Sequence, residues 1–189
     1  MNILITSGGT SEKIDQVRSI TNHSTGQLGK IISEQFLEAG FSVTLVTTPT
    51  AVHPKAHPHL TKILIKDVAE LHTVLAKETP THQVLIHAMA VSDYSPVYMS
   101  GFQAVKEAPN VEQFLHQTNQ ESKISSEEDY QVLFLKKNPK LISLVKTWNP
   151  AIRLVGFKLL VDVSQDQLLS VARASLEKNQ AEMIVANDL

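Results

Sequence analysis

The sequence predicts an α/β fold, a Rossmann-like and mainly parallel sheet with helices on both faces. Three observations predict it. Short β-branched runs alternate with stretches of helical periodicity along most of the chain. The chain opens on an apolar strand that runs into glycines, as nucleotide-binding sheets do. Its 189 residues, 42% hydrophobic and 19% charged, suit one domain around one core.

The elements follow in order. NILIT, residues 2–6, is the first strand. The next helical pattern waits until residue 26. Between them lies TSGGTSEKIDQVRSITNHSTGQLG, residues 6–29, a long polar stretch holding four of the chain's seven glycines: Gly8, Gly9, Gly26 and Gly29. Residues 26–39 read as a helix with Leu28, Ile31, Ile32, Phe36 and Ala39 on one face and Gly40 placed to end it. FSVTLVT (41–47) and LTKILI (60–65) are strands, and a helix over 68–78 aligns Val68, Leu71 and Leu75. QVLIHAM (83–89) is a fourth strand. Residues 90–122 carry Pro96, Gly101 and Pro109 and little periodicity outside NVEQFLH, so they are an excursion from the core.

YQVLFLK (130–136) resumes strand character. Asn138 is placed to cap a helix with Pro139 at its first position, and Leu141, Leu144, Val145 and Trp148 make its apolar stripe. IRLVGF (152–157) is a strand. Ser164 to Gln167 fits a capping box ahead of a helix bearing Leu168, Val171, Ala172 and Leu176, and EMIVAND is the last strand. Ligands of such sheets gather beyond the carboxyl ends of the strands. That rule selects residues 7–22, 89–93, Phe157, Asn187 and Asp188.

Composition removes several functions. A formal net charge of -2 gives no electrostatic grip on nucleic acid or an anionic membrane. The absence of cysteine excludes disulfides, thiolate catalysis, cysteine-ligated zinc and iron–sulfur clusters. MNILIT is too short for a signal-peptide core, and no apolar run approaches the ~20 residues of a membrane span, so the reading is a soluble, cytoplasmic protein. An NAD(P)-linked reductase of Rossmann type is the obvious alternative, and its marks are missing. There is no G-x-G-x-x-G, the second strand ends in TTPT without an acidic residue for a ribose, and no tyrosine has a lysine four residues on. The Walker pattern is missing too. A non-catalytic nucleotide-binding module is a third reading.

Several residues carry chemistry with alternatives open. Backbone N–H groups at Gly8-Gly9-Thr10 and at Ser24-Thr25-Gly26 suit a phosphate, and a turn plus a helix cap suits the same pattern. Arg18 and Asn22 stand four apart in the polar stretch, where a surface arginine and a turn asparagine are the ordinary reading. Asp93 in AMAVSDY suits a metal, a ribose or a cap. Lys123 in ESKISS reads by itself as solvated surface. His53, His57 and His59 lie among prolines that keep them off a common helix face, which favours a surface loop over a metal site.

Taken together, these segments resemble one family, phosphopantothenate–cysteine ligase, also called phosphopantothenoylcysteine synthetase. Its signature places a Gly-Gly-Thr, an Ile-Asp-x-Val-Arg and an Asn-x-Ser-Ser/Thr-Gly-x-x-Gly after the first strand, as GGTSEKIDQVRSITNHSTGQLG does here. AVSDY, KISS, KNPK with LVGFK, and AND follow in the family's order, so the resemblance spans the chain, in the bacterial single-activity form. It implies a ligase of coenzyme A biosynthesis that joins 4′-phosphopantothenate to cysteine with CTP through an acyl-cytidylate. It further implies Mg²⁺ with the nucleotide, no flavin or NAD, and a homodimer built with a flap from about 90–122. Residues 1–189 are then one domain that stops short of the family's usual tail.

The resemblance also assigns residues. Asn22, Arg18 and Lys123 match catalytic positions. Gly8, Gly9, Ser24, Gly26, Gly29, Asp93, Asn138, Pro139, Lys140, Leu141, Phe157 and Lys178 match nucleotide-binding ones. Asn22, Met89, Ala90, Asp93 and Asn187 match the substrate site. A second triphosphate lysine of the family falls near Arg173 and Ala174. The chemistry fits a chain without cysteine or triad: a carboxylate and a triphosphate are both anionic, so positioning and positive potential matter more than a protein nucleophile.

Overall fold

The computed structural model describes residues 1–119, 124–125 and 127–188. In chain order the elements are β1 (Asn2–Thr6), β2 (Ser11–Lys13), β3 (Ser19–Thr21), α1 (Gln27–Glu38), β4 (Ser42–Thr47), β5 (Leu60–Leu64), α2 (Val68–Glu78) and β6 (Val84–His87). Then come β7 (Tyr94–Gly101), α3 (Phe102–Glu107), β8 (Gln131–Lys137), α4 (Val145–Trp148), β9 (Arg153–Leu160), α5 (Gln165–Asn179) and β10 (Met183–Asp188). Six strands form one parallel sheet in the order β10-β9-β6-β1-β4-β5. This is the α/β architecture that the alternating pattern predicts.

Period-two alternation splits the core between the two faces of the sheet. Leu4, Leu85 and Leu154 point to one face and pack with Leu71 and Leu75 of α2 and Val145 of α4. Ile3, Ile5, Val43, Leu45 and Ile86 point to the other and pack with Leu37 of α1. Helix α2 has the expected bounds. Asp67 caps it by accepting the Glu70 N–H at 2.9 Å, and Val68, Leu71 and Leu75 are buried. Ser164 caps α5 through the Gln167 N–H at 3.2 Å, as the capping box predicts, although Leu176 is exposed and Ala172 and Asn179 are the buried residues.

Three expectations need correction. The inward face of α1 is Gly29, Ser33 and Leu37, with Ile32 and Phe36 beside it, while Leu28 and Ile31 are 48% and 46% exposed. The helix is turned because its first turn presses on the end of β1 at Ser7, a contact that only a residue without a side chain can make. Second, YQVLFLK does not join the main sheet. As β8 it pairs antiparallel with β7, forming a two-stranded arm. Strand β7 was hidden by Pro96, which a central strand would not tolerate and which sits here at a register shift. The excursion is therefore built of regular elements over residues 94–116, and Tyr98, Phe114 and Phe134 stack at 5.9 and 5.3 Å where it meets β8. Third, Asn138 caps no helix. The stripe from Leu141 begins as a 3₁₀ turn, Leu141–Leu144, before α4, and the Asn138 side chain is used elsewhere. Among the described residues no helix is long and apolar enough to cross a membrane.

Candidate active site

The carboxyl ends of β1 and β6 gather most of the signature. Residues 7–10 leave β1 as a fully buried turn. Gly8 has φ +87°, a conformation that glycine adopts at no steric cost, and a Cβ there would meet Ala51 and Thr48 at 2.8 and 2.9 Å. Gly9 bridges Ala90 in parallel, with the Ala90 N–H donating to Gly8 O and the Thr10 N–H to Ala90 O. The turn is thus welded to the strand end that carries Met89, Ala90 and Asp93. Thr10 Oγ1 donates to Ser92 Oγ and accepts the Ser92 N–H, which adds a second weld.

The polar stretch beyond the turn is a β-hairpin. Strands β2 and β3 pair antiparallel from Ser11 with Thr21 to Lys13 with Ser19. Arg18 lies at its tip and Asn22 at its root, separated by β3 and so by about 13 Å of extended chain. The structure therefore does not bring Arg18 beside Asn22. Asn22 is exposed, its carbonyl oxygen would be 2.6 Å from a Cβ on Gly9, and Ser24 follows against the same glycine. Gly26 caps α1, where Ser7 Oγ donates to its carbonyl oxygen at 3.0 Å. Gly8, Gly26 and Gly29 are all buried in this packing.

Two carboxylates on this hairpin escaped the sequence reading. Glu12 is buried, accepts the Val68 N–H at the start of α2 and accepts from Ser95 Oγ at 2.7 Å. Asp15 is buried at the tip, ion-paired with Arg18 at 2.6 Å. The Arg18 guanidinium beside Asp15 holds its carboxyl well below the usual carboxylate range, helped by the backbone N–H groups of Val17, Arg18 and Ile124. Asp15 and Arg18 stand three apart, the one signal that could have paired them. Nothing in Glu12's spacing points to partners 56 and 83 positions away.

Asn138 joins the segment expected to bind the nucleotide to this frame. Its Nδ2 donates to Ser92 O at 3.0 Å, its N–H to Asp93 O at 2.8 Å, and its Oδ1 lies 2.9 Å from Ser95 Oγ. Lys140 pairs with the Asp93 carboxylate across the opening. Asn138 and Pro139 also edge a cleft of about 620 Å³ together with Glu12, Asp67 and His72. Ser143 Oγ donates to Asn179 Oδ1 at 2.8 Å, which seats the last turn of α5, with the exposed Lys178, next to the 141–144 turn.

Other expected residues lie apart. Leu141 and Met89 are core residues on the α2 face, so the Met89 side chain is not turned toward a ligand; its N–H donates to Thr6 Oγ1. Phe157 packs on the opposite, α1 face. Asn187 is exposed on β10 opposite Leu159. Lys123 lies outside the described residues.

His87 closes β6 inside this frame. Its Nδ1 is 2.8 Å from Thr6 Oγ1, and burial lowers its pKa to about 4. The folded value lies below the unfolded one, so the unfolded chain binds the proton first. Stability should be complete above about pH 6.5 and fall by up to about 3 kcal/mol as pH drops toward 4. Urea midpoints measured between pH 4 and 7 should show that slope, and His87→Gln should flatten it.

Comparison with known proteins places this geometry. The family model of the DNA/pantothenate metabolism flavoprotein C-terminal domain matches residues 1–113. The crystal structure of the DNA/pantothenate metabolism flavoprotein from Streptococcus pneumoniae is 58% identical, with a TM-score of 0.95 over 100% of this chain and 82% of that one. The C-terminal domain of the coenzyme A biosynthesis bifunctional protein CoaBC is 27% identical, with a TM-score of 0.73 over 98% and 76% of the two chains. The bifunctional protein CoaBC of Thermococcus kodakarensis is 33% identical over 189 residues, 99% of this chain and 41% of that protein. The chain thus spans about two fifths of the curated relatives it matches.

Proposed function

The chain belongs to the family of the DNA/pantothenate metabolism flavoprotein C-terminal domain, and on that premise we propose that it is a phosphopantothenate–cysteine ligase of coenzyme A biosynthesis. It joins 4′-phosphopantothenate to cysteine at the expense of CTP. The observation that carries this reading is the meeting of three signature segments, the glycine turn with its hairpin, AVSDY and KNPK, in one hydrogen-bonded frame at the ends of β1 and β6.

The reaction runs in two steps. The phosphopantothenate carboxylate attacks the α-phosphate of CTP, forming the acyl-cytidylate and releasing pyrophosphate. The cysteine amine then attacks the acyl carbon, the amide forms, and CMP leaves. Asn22 takes the pantothenoyl side, at the rim of the turn, where its amide offers a donor and an acceptor without titrating. Asp93, Lys140 and the 138–141 backbone take the nucleotide side, with Lys178 nearby. Lys123 is the cation assigned to the first step. Mg²⁺ would come bound to the triphosphate, the usual companion of a nucleoside triphosphate.

The arm supports a homodimer. A two-stranded ribbon is marginal by itself, and this one exposes Tyr94 and Leu135, with Phe102, Leu115 and Tyr130 exposed on the segments that join its strands. The cytoplasm is the compartment in which this chemistry would run.

Pyrophosphate release tests the reading. We expect release with CTP only when 4′-phosphopantothenate is present, and CMP only when cysteine is added. Tight CTP binding without any release would reduce the protein to a nucleotide-binding module, and oxidation of a reduced nicotinamide would make it a reductase.

A further inference from the structure

We propose that Asp15 is a positioning residue of this site, which uses its carboxylate to dock the 124–125 segment onto the hairpin and so fixes the hairpin that carries Asn22. The role in turnover rests on the ligase reading above; the docking does not.

The geometry is specific. Asp15 Oδ1 accepts the N–H groups of Val17 and Arg18 at 2.8 and 2.7 Å. Oδ2 accepts Arg18 Nε and Nη2 at 3.0 and 2.6 Å and the Ile124 N–H at 3.2 Å. Arg18 Nη2 also donates to the Ile124 carbonyl oxygen at 2.8 Å. One ion pair thus takes both backbone groups of Ile124, as a neighbouring strand would. Ile124 is itself buried. The Asp15 side chain is wholly buried, and an ionised carboxylate in that position needs its full set of donors.

The other end of the hairpin is held independently. Thr21 Oγ1 donates to Thr10 O at 3.0 Å, and the Asn22 carbonyl lies against Gly9. Glu12 fastens the middle of β2 to Val68 and Ser95; beyond it the tip is tied through Asp15 and Arg18 to Ile124, and Asn22 stands at the other end of β3. If the tip comes loose, β3 can twist against the β2 strand that Glu12 holds and move Asn22, and reacting groups lose rate steeply with misplacement of about 1 Å.

Asp15→Asn keeps the shape and reverses the bonding, since Nδ2 would face the Arg18 guanidinium and the Ile124 N–H, donor against donor. Hydrogen exchange reads the docking without any assay of activity. We expect the Ile124 amide to exchange at least about tenfold faster in the variant, with the core amides of Leu45 and Leu85 unchanged. In steady state we expect kcat to fall by about 10- to 100-fold and KM for 4′-phosphopantothenate to rise, with KM for CTP within about twofold. A merely less stable enzyme would not separate the two substrates. Unchanged exchange at Ile124 would overturn the docking. Faster exchange with wild-type kcat and KM would overturn the positioning role. An inactive wild-type protein would count against the ligase reading, and the exchange result would still decide the docking.

Discussion

Asn22→Asp is expected to lower turnover by at least about 100-fold while CTP binding stays within a few-fold of wild type. The substitution changes no shape and adds one negative charge. The residue is exposed at the root of β3, its main chain is held against Gly9, and its side-chain amide makes no hydrogen bond among the described residues. The amide is thus free for a substrate, on a backbone packed against Gly9. In the proposed first step that substrate is a carboxylate approaching a phosphate. A second carboxylate at about 4 Å costs roughly 4 kcal/mol at an effective dielectric near 20, which is close to three orders of magnitude in rate. CTP should feel less of this charge, because the proposed nucleotide side of the frame lies toward Asp93, Asn138 and Lys140. Steady-state pyrophosphate release and calorimetric CTP binding, run on the same preparation, separate the two effects. Wild-type turnover would remove Asn22 from the mechanism.

The legibility of the fold depended on what each segment buries. Helix α2 could be placed and oriented because Val68, Leu71 and Leu75 face a core. Helix α1 could be located but not oriented. Its apolar residues suggest a face through Leu28 and Ile31, yet the contact that decides the rotation is Gly29 against Ser7, and a glycine contributes nothing to a hydrophobic pattern. Strand β8 could be seen but its sheet could not, because alternation reports a strand and not its partner. That partner, β7, contains a proline and reads as loop.

The site was legible as a set of segments and not as an arrangement. AVSDY lies 82 positions beyond the glycine turn and KNPK a further 46; the parallel pairing of β1 with β6 brings the first two together, and the antiparallel β7–β8 arm returns the third to them. Arg18 and Asn22 suggest a pair at helical spacing. The backbone there is extended, so the pair separates and Arg18 turns to Asp15 instead. Glu12 and Asp15 are buried carboxylates in a stretch that reads as polar loop. Their burial is satisfied by N–H groups of Val68 and Ile124, which no local pattern reveals.

Gly29→Ala should lose about 1–3 kcal/mol of stability, a larger effect than its single methyl suggests. By helix propensity alone the change would gain about 1 kcal/mol, since Gly29 lies inside α1. Crowding outweighs that gain. A Cβ on Gly29 would stand 2.2 Å from Ser7 Oγ, 2.4 Å from Ser7 Cβ and 3.3 Å from Ser7 Cα. Rotating the hydroxyl away relieves only the first of these, and it breaks the bond from Ser7 Oγ to Gly26 O. Lifting α1 off the sheet relieves all three, but it uncovers Leu37 and the apolar face built on Ile3, Ile5 and Val43. Either route costs overpacking energy of about 1–3 kcal/mol and a buried hydrogen bond of about 1 kcal/mol. The contact also dictates its own rescue. Ser7→Gly removes the Cβ and hydroxyl that the new methyl strikes, so the double variant Ser7→Gly, Gly29→Ala should recover much of the loss, whereas independent sites would simply add. Urea denaturation of the four proteins measures that coupling. A Gly29→Ala protein as stable as wild type would mean that α1 does not approach β1 as closely as its rotation requires.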